Sequence, residues 1–208
     1  MIEARGFAAQ EPKTPLTPFT FKRRPVGPND VLINIKYCGI CHSDIHSVRN
    51  EWKRNGKYPM VPGHEITGTV AHVGDKVALV KIGDAVGVGC FVDSCRTCAE
   101  CKSDLNHFCD KMVVTYNSKL PDGTVTYGGY SNCIVVDENY MLRIPKNLPL
   151  DAAAPLLCAG ITMYSPLRHW NAGPCKQVAI LGLGGLGHIG VRLARAMGTE
   201  VTVISHRL

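Results

Sequence analysis

Several features that mark membrane and repeat proteins are absent from this chain of 208 residues. No apolar run approaches the ~20 residues that a membrane-spanning helix requires, so we expect no transmembrane segment and no membrane partner. The first five residues include Glu3 and precede no apolar stretch, so we expect no secretory leader and a cytoplasmic location. There is no internal repeat and no low-complexity tract, which excludes solenoid architectures.

Concentrated charge is also scarce. The formal net charge is +6, from 23 Lys and Arg against 17 Asp and Glu. The basic residues are scattered apart from Lys22–Arg24, a pattern typical of a solvated basic face. Aromatic and basic residues do not interleave around the cysteines, so we expect no nucleic-acid partner.

Cysteine, in contrast, is abundant, with ten residues in the chain. A reducing compartment does not favour a disulfide framework. Cysteines at short spacing in such a protein are typical of metal sites. The sequence therefore predicts metal binding before any other chemistry.

The hydrophobic pattern predicts two domains, a β-rich one over residues 1–150 and the start of an α/β domain over residues 151–208. Strands are predicted over residues 31–37, 66–73, 84–90, 128–136, 177–181 and 200–204. Helices are predicted over residues 44–49, 152–154 with Asp151 as N-cap, 162–170 and 185–197. The expected fold is a barrel-like or sandwich-like β domain followed by a βαβ unit.

The strongest single motif is a run of four cysteines, Cys95, Cys98, Cys101 and Cys109. Four thiolates at this spacing can close a tetrahedral zinc site, and a closed site has no position for a substrate. The predicted role is therefore structural. A nucleic-acid-binding zinc ribbon is the alternative, but ribbons usually set two Cys-x2-Cys pairs far apart.

A second metal site is predicted from residues that are distant in sequence: Cys41, His64, Glu65 and Cys158. Two thiolates and one imidazole leave a fourth position open, which is the design of a catalytic zinc. Cys38 competes with Cys41 as the ligand, and Glu65 is either a fourth ligand or a residue just behind the metal. Asp44 is suitably placed to accept the other ring N–H of His64.

A glycine-rich turn follows the strand predicted over residues 177–181. The pattern G-x-G-x-x-G falls on Gly182, Gly184 and Gly187, and the whole turn comprises Gly182, Leu183, Gly184, Gly185, Leu186 and Gly187. A strand before it and a helix after it are the context in which this pattern binds a dinucleotide pyrophosphate. Beyond the next strand lie Ser205, His206 and Arg207, in place of the acid that would hold the ribose of NAD. These three residues suit a 2′-phosphate, so the sequence predicts NADP(H).

Together these motifs resemble the zinc-dependent medium-chain alcohol dehydrogenases, in particular the cinnamyl-alcohol-dehydrogenase-like, NADP-dependent aldehyde reductases. The resemblance covers essentially the whole chain. Its carriers are residues 38–46 (CGICHSDIH), 62–65 (PGHE), 88–95 (VGCFVDSC), the four-cysteine loop, 155–162 (PLLCAGIT) and 182–187 (GLGGLG).

The resemblance implies a GroES-like β-barrel domain followed by the first βαβ unit of a Rossmann fold. It implies two zinc ions, with Cys41, His64, Glu65 and Cys158 at the catalytic one. It also implies that His42 and Thr162 contact the cofactor and that Ser43 and His46 pass the substrate proton to solvent. Trp52 and Phe91 either line the substrate pocket or pack in the core.

The implied activity is the interconversion of primary alcohols and aldehydes with NADP(H), acting as an aldehyde reductase, in a protein that is a homodimer at full length. The nucleotide domain of the family has six parallel strands, so we expect this chain to be truncated at its C-terminus. A catalytically impaired zinc-binding subunit or interaction protein is therefore an alternative. A zinc-free quinone reductase is disfavoured because both ligand sets are complete.

Overall fold

The computed structural model describes residues 1–53 and 56–206, and the chain divides into two compact units, residues 1–157 and 158–208. The boundary predicted after residue 150 lies before this one. The reason is that the segment 150–157 belongs with the β domain, where the Thr67 hydroxyl donates to the Leu150 carbonyl at 2.8 Å. Among the described residues, no helix is both long and apolar enough to cross a membrane.

The first unit is built mainly from antiparallel strands. They are β1 (Ile2–Ala9), β2 (Leu16–Arg23), β3 (Asp30–Cys38), β4 (Ile66–Val73), β5 (Ala85–Val88), β6 (Phe91–Asp93), β7 (Val113–Val114), β8 (Cys133–Asp137) and β9 (Leu142–Arg143). Five of them form a sheet in the order β8-β3-β4-β5-β9. The pairs β1–β2 and β6–β7 form two smaller sheets.

The core of this unit follows from the β-branched side chains of the central strands. Ile33, Ile66, Val86 and Val88 are completely buried. Burial of each such side chain contributes about 1.5–3 kcal/mol. A second cluster joins Ala4 and Ala8 of β1 to its neighbours, which are Phe21, Val61 and Cys133. The central sheet therefore holds β3 rigidly, and β3 ends where the first cysteine–histidine cluster begins.

Short helices lie between the strands: α1 (His42–Val48), α2 (Ala99–Lys102) and α3 (Leu150–Ala153), with 3-10 turns over Asn106–Phe108, Glu138–Tyr140 and Ala154–Leu157. The N-cap of α3 is Pro149, so the predicted cap at Asp151 is wrong. A proline preceding the helix fixes the backbone there without needing a side-chain cap. The strand predicted from residue 128 begins only at Cys133, because residues 128–130 bond instead to the segment 61–63.

The second unit contains α4 (Ala159–His169), β10 (Gln177–Leu181), α5 (Gly185–Ala196) and β11 (Glu200–Ile204). Strands β10 and β11 pair in parallel, with Gln177 opposite Glu200. The expected βαβ unit is thus confirmed, with both strand ranges as predicted. Strands β1 and β2 were not predicted, since β1 carries few β-branched residues.

Two candidate metal centres and a nucleotide turn

The four-cysteine motif folds into one compact cluster of sulfur atoms. The Sγ atoms of all four cysteines lie within 4.8 Å of one another. Helix α2 starts after Cys98 and contains Cys101, and the turn over residues 106–108 delivers Cys109. Four sulfur ligands at this separation fit a tetrahedral zinc ion, and the set is complete without a substrate or water.

Hydrogen bonds surround these sulfur atoms. The backbone N–H of Cys98 donates to Cys95 Sγ at 3.3 Å, and that of Lys111 donates to Cys109 Sγ at 3.3 Å. Backbone hydrogen bonds from Thr97 and Cys98 lower the pKa of Cys95 to about 6. At Cys95 these hydrogen bonds favour the thiolate, which is the form of cysteine that binds a metal.

The second centre is organised by a buried carboxylate at the start of α1. Asp44 accepts hydrogen bonds from the backbone N–H of Cys41 at 3.1 Å and of Gly63 at 3.0 Å. It is also bonded to His64 Nδ1 at 3.1 Å and to the Tyr130 hydroxyl at 3.2 Å. One carboxylate thus joins α1 to the loop that carries His64, and the predicted pairing of Asp44 with His64 is observed.

The environment of Asp44 keeps it ionised. Burial opposes ionisation, but the hydrogen bonds from His64 and from the N–H groups of Cys41 and Gly63 outweigh it and lower the pKa of Asp44. A histidine that donates its Nδ1–H to a carboxylate carries its lone pair on Nε2, the atom that binds a metal. The ring of Tyr116 stacks on His64 with centroids 5.8 Å apart, which fixes the plane of the imidazole.

The potential ligand atoms of Cys41, His64 and Cys158 all lie within 4.8 Å of one another. Leu157 is the buried last residue of the first unit, and its carbonyl lies 3.9 Å from Cys90 Sγ. Cys158 directly follows Leu157 in the chain. Two sulfurs and one imidazole nitrogen fit a zinc ion and leave its fourth position open. Among the described residues, this group and the four-cysteine cluster are the candidate metal centres.

Cys38 and Glu65 lie outside the three-ligand group. Burial raises the pKa of Cys38 to about 12, so it remains a protonated thiol, and its Sγ is 3.6 Å from the Gly39 carbonyl. The geometry thus favours Cys41 over Cys38. The carboxylate of Glu65 is buried against Gly39, where an added Cβ would approach Glu65 Oε2 to 1.9 Å.

The predicted proton-transfer residues share helix α1. Ser43 is half-buried, and the rings of His42 and His46 are tilted by 40° to each other with centroids 4.6 Å apart. His46 Nδ1 is paired with Glu51, which lowers the pKa of that carboxyl group.

Two aromatic residues were predicted either to line a substrate pocket or to pack in the core. The ring of Trp52 lies 5.2 Å from that of His46. Phe91 packs against the main core cluster.

Sequence reasoning missed the contact between His46 and Glu51, because a spacing of five residues matches no regular helical pair.

The glycine turn connects β10 to α5. Gly182 has φ +87°, which favours glycine, and Gly184 is the N-cap of α5. A Cβ on Gly187 would approach the Gly182 carbonyl to 1.9 Å, so only glycine fits there. Backbone N–H groups at the start of a 12-residue helix provide an anion site. The turn therefore has the local geometry that a pyrophosphate requires.

The remaining predicted cofactor residues also lie in the second unit. Thr162 is in α4, and its backbone N–H donates to the Cys158 carbonyl at 2.9 Å. Ser205 and His206 directly follow β11. Arg207 lies outside the described residues.

Comparison with known proteins identifies the family to which this arrangement is related. Residues 27–146 match the family model described as alcohol dehydrogenase GroES-like domain. The chain is 61% identical over 210 residues to NADP-dependent alcohol dehydrogenase C 1 of Mycolicibacterium smegmatis, covering 100% of this chain and 60% of that protein. It is 56% identical over 205 residues to probable cinnamyl alcohol dehydrogenase 6 of Arabidopsis thaliana, covering 98% and 56%.

Solved structures give the same result. The chain superposes on the cinnamyl alcohol dehydrogenase from Helicobacter pylori complexed with NADP(H) with a TM-score of 0.94 and 51% identity, over 97% of this chain and 58% of that one. For the Sorghum bicolor cinnamyl alcohol dehydrogenase SbCAD4, the TM-score is 0.95 and the identity 47%, over 98% and 58%. The chain thus spans about 60% of the length of the relatives it matches.

Proposed function

The chain belongs to the alcohol dehydrogenase family that carries the GroES-like domain, and from this premise we propose that it is a zinc-dependent oxidoreductase. The proposed reaction interconverts primary alcohols and aldehydes with NADP(H) and runs as aldehyde reduction. The observation that carries this proposal is the grouping of Cys41, His64 and Cys158 within 4.8 Å.

The donor sets support two zinc ions, a closed one at the four cysteines and an open one at Cys41, His64 and Cys158. Zinc bound at the open site would supply Lewis acidity toward an alcohol or carbonyl oxygen. Asp44 orients the imidazole of His64 and holds the backbone of Cys41, so both ligands keep one geometry. Glu65 follows His64 in the chain and is buried, and its carboxylate is proposed to lie close behind the ligands.

The proton path is proposed to run along α1. Ser43 and His46 lie one turn apart on this helix, so their side chains share a face. His46 is partly exposed and paired with Glu51, which allows an imidazole to accept a proton and pass it to water. His42 precedes the pair and is proposed to contact the cofactor.

The nicotinamide cofactor is proposed to bind through the glycine turn of the second unit. The backbone of Gly182–Gly187 and the N-terminus of α5 suit its pyrophosphate. Ser205, His206 and Arg207 are proposed to hold the 2′-phosphate that distinguishes NADP from NAD. Thr162 is proposed to lie beside the nicotinamide.

The test is metal analysis of the purified chain together with oxidation of NADPH in the presence of an aromatic and an aliphatic aldehyde. Two zinc ions per chain and aldehyde-dependent oxidation are expected. The Ser43→Ala variant is expected to keep both ions and to lose at least about tenfold in turnover, since proton transfer typically contributes about 10²–10⁴-fold. Unchanged turnover in this variant would remove the proton path, and wild-type protein without zinc would overturn the proposal.

A second candidate function is a zinc-binding subunit that acts by association. Apolar side chains are exposed on the second unit, where Leu181 is 83%, Trp170 76% and Ile204 53% exposed. Exposed apolar surface of this kind is typical of a face that binds another protein chain. Mixing this chain with the M. smegmatis relative and measuring the mass of the product tests this function. A mixed oligomer with lowered activity supports it, and two separate species contradict it.

A further inference from the structure

Two buried hydroxyl groups lie next to the four-cysteine cluster. The Ser94 Oγ is 3.2 Å from Cys101 Sγ and 2.7 Å from the Tyr140 hydroxyl. Ser94 is 6% and Tyr140 8% exposed, and Cys101 is buried as well. Water therefore cannot easily replace the Ser94 hydroxyl as the partner of the sulfur, or the Tyr140 hydroxyl as the partner of Ser94.

The chemistry of the three groups sets the direction of the hydrogen bonds. A metal-bound cysteine is a thiolate, which can only accept a hydrogen bond. The Ser94 O–H must then donate to Cys101 Sγ, and the Ser94 oxygen accepts from the Tyr140 O–H. In such a chain each hydrogen bond polarises the next, so the bond to sulfur is stronger than that of an isolated serine.

The surroundings of Tyr140 prevent this pair from turning away. The ring of Phe91 meets that of Tyr140 edge-on, with centroids 5.9 Å apart. The guanidinium carbon of Arg96 lies 5.2 Å from the centre of the Tyr140 ring. Arg96 is itself held by Asp93 at 2.8 Å and Asp137 at 2.9 Å. The phenol is thus fixed by contacts on several sides.

We propose that Ser94 and Tyr140 are positioning residues that fix Cys101 Sγ through a chain of two hydrogen bonds and so retain the metal in the four-cysteine cluster. This inference rests on the zinc proposed above. Backbone N–H groups bond Cys95 and Cys109. A buried side chain bonds Cys101, so a substitution can remove this contact.

The test compares Ser94→Ala, Tyr140→Phe and a matched control, Thr97→Val. The Thr97 hydroxyl also reaches a cluster sulfur, Cys95, but at 3.7 Å and from an exposed residue. Ser94→Ala is expected to weaken zinc binding at the cluster by about tenfold, because loss of an outer hydrogen bond to a metal ligand typically costs about 10–100-fold. Tyr140→Phe should act in the same direction with a smaller effect, and Thr97→Val should stay within about twofold of the wild type, since water replaces an exposed partner.

The measurements are zinc release to a coloured chelator and the sulfur-to-metal charge-transfer band of the cobalt-loaded protein. A shift of this band in Ser94→Ala and Tyr140→Phe supports a bond to the thiolate, since a packing defect alone would leave it unchanged. Release rates and bands equal to the wild type in both variants would overturn the inference. Tyr140→Phe keeps the ring, so it remains informative if Ser94→Ala folds poorly.

The wild-type zinc count separates this inference from the proposed function. Two ions per chain with unchanged release in the variants would refute the role of Ser94 and Tyr140 alone. A wild-type chain that binds no zinc at the four cysteines would refute the structural metal, and the positioning role with it.

Discussion

The two candidate metal centres are assembled in opposite ways. The four cysteines lie between residues 95 and 109, and one loop with a short helix brings them together. The other centre takes Cys41 from the start of α1, His64 from the loop before β4, and Cys158 from the residue after Leu157. The first site therefore depends on local spacing, and the second depends on the whole sheet that separates its ligands.

This difference has a physical consequence. A closed set of four thiolates contributes its metal-binding free energy directly to folding. In the open site, Asp44 and Tyr116 orient His64. This site can form only after the chain has folded, because Cys41 and His64 meet only when β3 and β4 pair. Loss of metal should accordingly destabilise the chain mainly through the four-cysteine loop.

The largest expected effect comes from removing one ligand of the four-cysteine cluster. Cys109→Ser removes one of its two buried sulfur ligands, and we expect the loss of one zinc ion and a fall in melting temperature of about 10 °C or more. Differential scanning calorimetry measures this change. Cys175→Ser, at an exposed cysteine outside both centres, is the control and should melt like the wild type. Equal melting temperatures for the two variants would contradict a stabilising metal in the loop.

The Asp44→Asn variant tests the second centre, formed by Cys41, His64 and Cys158, which we call the dispersed site because its ligands are distant in sequence. The amide keeps the size of the side chain but weakens the bond that orients His64 Nδ1, so zinc affinity at this site should fall by about 10–100-fold. Competition with a chelator of known affinity measures it. Zinc in the four-cysteine cluster should be retained. Loss of both ions together would show that the two centres are not independent.

Gly39→Ala tests the packing behind the dispersed site. An added Cβ would overlap Glu65 Oε2, so we expect a loss of about 1–3 kcal/mol in the free energy of unfolding. Gly184→Ala is the matched control, since no atom lies within 4 Å of its added Cβ. Urea denaturation of the two variants compares them, and equal stabilities would mean that Glu65 moves away without cost.

The smallest expected effect concerns pH. Burial opposes the ionisation of Asp137, but hydrogen bonds from Asn139 and Arg96 outweigh it and lower its pKa. Because the folded-state pKa lies below the unfolded value of about 3.9, this stabilisation is present above pH ~4 and is lost as pH falls through the folded pKa. Asp137→Asn should lose about 1 kcal/mol or less at pH 7, since Arg96 is partly exposed, and the difference from the wild type should narrow toward acid. If the difference in the free energy of unfolding between Asp137→Asn and the wild type grew as pH falls, it would contradict a lowered pKa for Asp137.

The sequence allowed prediction of those parts of the molecule in which the signal is local. The strands β4, β10 and β11 and the glycine turn match their predicted ranges because hydrophobic pattern and turn chemistry agree there. The Cys-x2-Cys spacing alone left Cys38 and Cys41 as alternative ligands. The family resemblance implied Cys41, and the fold groups Cys41 with His64 and Cys158 and leaves Cys38 outside that group.

Other features depend on contacts that no sequence pattern encodes. Tyr130 reaches Asp44 across 86 positions, and Ser94 reaches Tyr140 across 46. Side chains that meet through tertiary packing leave no periodic trace, so these two hydrogen bonds were not predicted, whereas the bond between Asp44 and His64 was. The two groups of candidate ligands were predictable because cysteine and histidine carry a distinct chemistry.

The most direct measurement is the number of zinc ions per chain in the wild type and in the His64→Ala variant. Two independent centres predict two ions in the wild type and one in the variant, with the remaining ion showing the spectrum of a four-thiolate site after exchange for cobalt. One ion in the wild type, or two in the variant, would contradict a metal shared by Cys41, His64 and Cys158.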